Sequence, residues 1–179
     1  DDHEMNVSHV IRGEDHISNT PRQILILEAL GFERPIYAHI PLILAKDRSK
    51  LSKRHGAVSI NEYRRMGILP EALVNYLALL GWTPSKEKEV LSLAEMVEAF
   101  DLKDMHKSGA VFDIEKLRWF NRQYMQAMTD TMFMKEALPR IERALSNRAG
   151  WSKDIGEKLV PIVRERISTW SDIEDLIGT

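Results

Sequence analysis

Residues 40–56 read Ile40-Pro41-Leu42-Ile43-Leu44-Ala45-Lys46-Asp47-Arg48-Ser49-Lys50-Leu51-Ser52-Lys53-Arg54-His55-Gly56, and this stretch decides how the chain is read. Its first five residues form an apolar run that reads as a buried strand. From Lys46 to Arg54 there are then five basic side chains against one acid, with Ser52 adding a hydroxyl and Gly56 a flexible exit. Open α/β sheets bind ligands just beyond the carboxyl ends of their strands, where such a loop would sit. Lysines serve there as mobile point charges, while hydroxyl and backbone N–H groups supply short hydrogen bonds to a polyphosphate. A basic run by itself fits a solvated surface loop equally well, so its neighbours carry the distinction.

Working outward, Val7 to Arg12 reads as a strand, followed by a helix capped at Ser18 or Asn19 with Pro21 in its first turn. Ile24, Leu27 and Leu30 would form the apolar face of that helix and Gly31 would end it. Pro35 to Leu44 reads as extended. From Ser59 the period becomes helical, and Ser59 with Glu62 and Ser92 with Glu95 have capping-box spacing. Leu73, Tyr76, Leu77 and Leu80 make one stripe, closed by Gly81-Trp82. Asp113 caps a helix over 114–125, on which Leu117, Phe120 and Tyr124 share a face. A helix near 131–147 contains Pro139, which should kink or split it. Further helices are expected at 155–168 and 172–177. The fold class is therefore α/β plus all-α, with residues 1–57 forming part of an α/β unit and the rest helical.

Composition bounds the function without naming it. The 179 residues contain 44% apolar side chains and carry a formal charge of −2, so bulk attraction for nucleic acid is absent and RNA contact would need local patches. With no cysteine, neither a disulfide nor a thiolate metal site can be built from this sequence. No apolar run approaches the ~20 residues of a membrane span. A cytoplasmic location is the expectation.

The basic loop resembles the second signature of class I aminoacyl-tRNA synthetases, the "KMSKS" loop, with Leu51 at the Met position and Arg54 at the last. Three further segments stand in register with it: His9-Val10-Ile11-Arg12-Gly13-Glu14-Asp15-His16, Ala38-His39-Ile40-Pro41-Leu42-Ile43-Leu44, and the run from Leu69 to Trp82. Together they resemble bacterial-type glutamyl-tRNA synthetase. That resemblance implies the C-terminal half of a Rossmann-type catalytic domain in residues 1–57. A helical stem-contact domain would follow in 58–128, and the start of a helical anticodon-binding domain in 129–179. No His-Ile-Gly-His-like first signature is present, and both ends resemble cuts through a larger protein. The expectation is a fragment inactive alone, with a monomeric full-length parent.

The resemblance also implies roles. Lys53 matches the second lysine of the signature and, with Lys50, is the candidate catalytic group. Amino-acid activation joins the substrate carboxylate to the α-phosphorus of ATP and expels pyrophosphate, and cations that tighten on the leaving phosphates accelerate that step. Asp15, Leu44, Lys50, Leu51, Ser52, Lys53 and Arg54 are the candidate ATP-binding residues, Leu44 at a site where the backbone meets adenine. Arg12 falls on a glutamate-binding arginine, whose planar fork suits a carboxylate. Glu14-Asp15-His16 does not define a metal geometry, so no metal site is expected from this chain and Mg²⁺ would arrive with ATP.

Partners implied are tRNA(Glu), glutamate and ATP, with no membrane. Lys103, Lys107, Lys116, Arg118 and Arg122 are candidate RNA-backbone contacts with Trp119 and Phe120 between them, although helical spacing also fits both aromatics to a core. Two alternatives stand beside the ligase. One is a tRNA-binding module without catalysis. The other is the paralogue that glutamylates a modified base of tRNA(Asp), against which the long helical stretch beyond Trp82 argues.

Overall fold

The computed structural model describes residues 1–52, 54, 59–84 and 88–177. Lys53, the foremost sequence candidate, lies outside them. The chain folds as two compact units, one formed by 1–51, 80–83 and 100–112, the other by 52–79, 84–99 and 113–179.

In the first unit, strand β1 (His9–Gly13) pairs in parallel with β2 (Ile36–Ile40), so that Arg12 stands opposite His39 and Gly13 opposite Ile40. A 3-10 turn over Glu14–Asn19 leads from β1 into helix α1 (Thr20–Ala29), which carries a proline in its first turn. Its end is a Schellman turn: Phe32 N–H bonds the Leu27 carbonyl at 2.9 Å and Gly31 N–H the Glu28 carbonyl at 3.0 Å. Gly31 takes φ 71°, a left-handed conformation that suits glycine. The expected face is only partly realised. Ile24 and Leu27 are half-buried, but Leu30, in the capping position, is 60% exposed.

The strand expected over Ile40–Leu44 is corrected by the structure. Pairing ends at Ile40, because Pro41 has no N–H to continue a ladder. The run is half-buried to exposed rather than buried, since the two-stranded sheet gives it little cover. Leu44 instead makes two isolated bridges, antiparallel to Lys50 and parallel to Val111. Gly109 admits this approach, because a Cβ there would lie 2.6 Å from the Leu42 carbonyl oxygen.

The second unit is helical, as the period predicts: α2 (Ile60–Arg65), α3 (Pro70–Gly81, its last two residues belonging to the first unit), α4 (Leu93–Ala99), α5 (Ile114–Ala127), α6 (Asp130–Leu145), α7 (Lys153–Arg166) and α8 (Asp172–Ile177). Both capping boxes form. Ser59 Oγ accepts from Glu62 N–H at 3.3 Å while Ser59 N–H reaches Glu62 Oε2 at 2.9 Å, and Ser92 with Glu95 repeats the exchange. Asp113 caps α5 through Glu115 N–H. Leu73 and Tyr76 on α3, and Leu117 and Phe120 on α5, are buried, and Tyr76 meets Phe120 with ring centroids 5.8 Å apart.

Pro139 does not split its helix. α6 runs through it, with Phe133, Ala137 and Ile141 fully buried on one face against α7 and α8. Arg140 donates to the Glu136 carbonyl, one position along from the Lys135 carbonyl whose ladder donor Pro139 removes. Continuous apolar packing on both sides of Pro139 outweighs the single lost ladder bond. Among the described residues, no helix is long and apolar enough to cross a membrane.

Candidate active site

The carboxyl end of β1 and the segment after β2 gather most of the sequence candidates of the first unit. Gly13 closes the strand, and a Cβ there would lie 2.5 Å from Asp15 Oδ1, so the glycine gives that carboxylate its room. Asp15 Oδ2 then accepts from Lys50 Nζ at 2.5 Å. This hydrogen bond holds the Asp15 carboxyl below the ordinary aspartate value of 3.8, opposed by partial loss of hydration. Glu14, one residue earlier, accepts from Leu42 N–H at 3.2 Å. Adjacent acids thus hold the post-β2 segment at two points, Leu42 and Lys50.

A tight turn aims Lys50. Arg48 N–H bonds the Ala45 carbonyl at 2.9 Å, Ala45 N–H bonds the Ser49 carbonyl at 2.8 Å, and Arg48 adopts φ 64°. Asp47 Oδ1 takes both Ser49 N–H at 2.9 Å and Ser49 Oγ at 2.6 Å, an Asx-type closure. The turn sends the chain back antiparallel, with Leu51 N–H on the Ile43 carbonyl at 3.0 Å. Leu44 is half-buried, its N–H on the Ala110 carbonyl and its carbonyl on Phe112 N–H.

Arg12 is half-buried beside this region. It donates through Nη2 to Thr20 Oγ1 at 2.8 Å and through Nε to His39 Nε2 at 3.3 Å, and its Cζ lies 5.2 Å from the Tyr37 ring centroid. Ser52 and Arg54 belong to the second unit, Ser52 half-buried and Arg54 exposed. Among the described residues, no cluster of three or more His, Cys, Asp or Glu is arranged to hold a metal ion.

The candidate RNA contacts divide. Arg118 forms an ion pair with Asp172 at 2.9 Å, Arg122 Nη2 donates to the Glu165 carbonyl at 2.7 Å, and Lys116 pairs with Glu89 at 2.8 Å. Phe120 is core, whereas Trp119 is 42% exposed and meets Phe120 edge-on at 4.9 Å. Lys103 and Lys107 are exposed on the first unit. Sequence reasoning missed Glu14, Thr20, Tyr37 and His39 as partners of the site, because only the strand register places His39 against Arg12.

The parallel strand pair, the acid at the end of β1 and the basic turn after β2 fit one class of protein. Residues 1–119 match the family of tRNA synthetases class I (E and Q), catalytic domain, and the chain belongs to that family. Within it the similarity narrows. The chain is 49% identical over 97% of its length to a glutamate–tRNA ligase of Desulforamulus reducens and 49% identical over 98% to one of Aquifex aeolicus. It covers 36% and 37% of those proteins, so it spans about a third of the length of the curated relatives it matches. Among solved structures, a glutamate–tRNA synthetase from Elizabethkingia anophelis superposes with a TM-score of 0.83 at 37% identity, covering 97% of this chain and 38% of that one. A glutamate–tRNA ligase from Elizabethkingia meningosepticum, in complex with its amino acid, gives 0.80 at 37% identity, again over 97% of this chain and 38% of that one.

Proposed function

We propose that this chain contributes to the activation site of a glutamate–tRNA ligase. The observation that carries the reading is the Asp15–Lys50 pair just after β1, the strand whose carboxyl end also carries Arg12, in a chain of the glutamate and glutamine class I family. Arg12 holds a carboxylate of glutamate. Lys50 and Lys53 hold the ATP phosphates, with Leu51, Ser52 and Arg54 shaping the loop around them. Leu44 supports the adenine. An oxygen of the glutamate α-carboxylate attacks the α-phosphorus, and the bond to the β-phosphate bridging oxygen breaks. Pyrophosphate leaves as charge builds on its oxygens, and fixed cations stabilise that charge. A hydroxyl at the tRNA 3′ end then attacks the adenylate carbonyl and AMP departs.

Asp15 acts through Lys50. An ammonium has three N–H donors, so Lys50 can keep one on Asp15 and offer the others to phosphate oxygens. Mg²⁺ supplies further phosphate neutralisation, held mainly by the phosphates and water. The helical residues 58–128 form a stem-contact domain for the tRNA and 129–179 begin the anticodon-binding region, with tRNA(Glu) as partner of a monomeric cytoplasmic enzyme. In this reading Trp119 and Lys107 remain available to RNA, Lys103 would exchange its exposed pair with Asp101 for a phosphate, and Arg118 and Arg122 hold the helices together.

The decisive experiment measures tRNA-dependent charging with labelled glutamate by a full-length ligase carrying this chain. Charging of tRNA(Glu), abolished by loss of the basic loop, is the expected result. Tight tRNA binding with neither charging nor ATP–pyrophosphate exchange would overturn the reading in favour of an RNA-binding module.

A further inference from the structure

The side chains of Thr20, His39 and Tyr37 flank the guanidinium of Arg12. His39 faces it directly across the strand pair and accepts from Nε, and Thr20 at the start of α1 accepts from Nη2. Tyr37 and His39 lie two residues apart on one face of β2, their rings parallel to within 5°. The Tyr37 ring lies within cation–π range of the guanidinium. Thr20 Oγ1 is also 3.1 Å from His39 Nε2 and 3.1 Å from the His16 carbonyl, and its single hydroxyl proton serves one of these two acceptors at a time. For Nε2 to accept from Arg12, the ring proton of His39 must sit on Nδ1.

No carboxylate is ion-paired to Arg12 among the described residues. A guanidinium has five N–H donors, and these partners use only two, one on Nε and one on Nη2. The remaining Nη1 and Nη2 hydrogens form the fork that binds a carboxylate bidentately. An acidic partner would have filled that fork and cancelled its charge. A hydroxyl and an imidazole orient the group while leaving its charge for a ligand.

The geometry points to Thr20 and His39 as positioning residues that aim the Arg12 fork at the carboxylate of the amino-acid substrate, with Tyr37 setting the plane. This rests on the proposed role of Arg12 toward glutamate. The test uses a full-length ligase carrying this chain, with ATP–pyrophosphate exchange read as separate KM values for glutamate and ATP. Thr20→Val and His39→Leu should each raise the glutamate KM about five- to tenfold, the worth of one orienting hydrogen bond, with ATP KM and kcat nearly unchanged. Thr20→Ser and His39→Gln, which restore an acceptor oxygen, should recover most of that loss, which a purely structural defect would not show. Folded Thr20→Val and His39→Leu variants with unchanged glutamate KM, where Arg12→Ala raises it strongly, overturn the positioning role alone. An unchanged glutamate KM in Arg12→Ala overturns the underlying reading and this inference with it.

Discussion

Lys50 Nζ and Asp15 Oδ2 stand 2.5 Å apart although 35 positions separate the two residues in the chain. Two independent local structures bring this about. The 3-10 turn after Gly13 presents Asp15, and the Asx-closed turn over 45–49 presents Lys50. Both residues are candidates for ATP from sequence, and their side chains meet in the folded chain.

The first prediction concerns that pair. Lys50 lowers the Asp15 pKa, so the pair's contribution is present above the ordinary value of 3.8 and is lost as pH falls through the lower folded value. In Lys50→Met the Asp15 titration should move up toward 3.8, as followed by the carboxyl carbon shift in NMR. Thermal stability should barely change, because the Lys50 side chain is 60% and the Asp15 side chain 34% exposed, and a pair this open to solvent contributes little. Identical Asp15 titrations in the two proteins would mean that the pair does not form in solution.

A second prediction addresses Lys53. In a full-length ligase carrying this chain, Lys53→Ala should slow glutamate activation by about 10²–10³-fold, the usual cost of one preorganised contact to transition-state charge. On the proposed role the glutamate KM should change little, because a contact to the leaving phosphates would tighten in the transition state rather than on the bound amino acid. ATP–pyrophosphate exchange measures both quantities, and an unchanged rate would remove Lys53 from the chemistry.

A third prediction tests backbone geometry in the helical unit. Gly67 has φ 76° and ends α2 in a Schellman turn, with Ile68 N–H on the Tyr63 carbonyl at 3.0 Å. A Cβ at this position would lie 2.6 Å from the backbone nitrogen of Trp170, a group that cannot rotate away. Gly67→Ala should therefore cost about 1–3 kcal/mol by overpacking, on top of left-handed strain. Urea denaturation should give a lower midpoint with an unchanged slope, and an unchanged midpoint would show that the segment relaxes freely.

Much of this was legible in the sequence, for identifiable reasons. The caps at Ser59, Ser92 and Asp113 were readable because a capping box is a local pattern that needs no tertiary information. Leu117 and Phe120 were readable because the 3.6-residue period sets their face. The strand over Ile40–Leu44 was misread because apolar content spoke more loudly than the missing N–H of Pro41. Of the two outcomes expected at Pro139, the split does not occur, because buried packing around it, not propensity, decides whether α6 continues. Arg118 and Arg122 looked available to RNA because nothing local shows that Asp172 and the Glu165 carbonyl reach back to them. His39 stayed hidden for the same kind of reason, since its alignment with Arg12 depends on strand register.

The last prediction follows from the cluster around Asp172. Its carboxylate accepts from Ser168 N–H and Thr169 N–H, both at 2.8 Å, from Thr169 Oγ1 at 2.8 Å, and from the Arg118 guanidinium at 2.9 Å. Burial acts to raise its pKa, but these hydrogen bonds to the charged form prevail and hold it below 3.8. A depressed folded pKa places the stabilisation above the unfolded value and removes it as pH falls through the folded one. Asp172→Asn should therefore lower stability near neutral pH and flatten the acid limb below 3.8, since its amide keeps the shape but not the charge. It also leaves the half-buried Arg118 without its counterion, which adds to the loss at neutral pH. Denaturation midpoints measured across the acid range in both proteins make the comparison. Parallel acid limbs would assign the pH dependence to other carboxylates and reduce Asp172 to a helix cap.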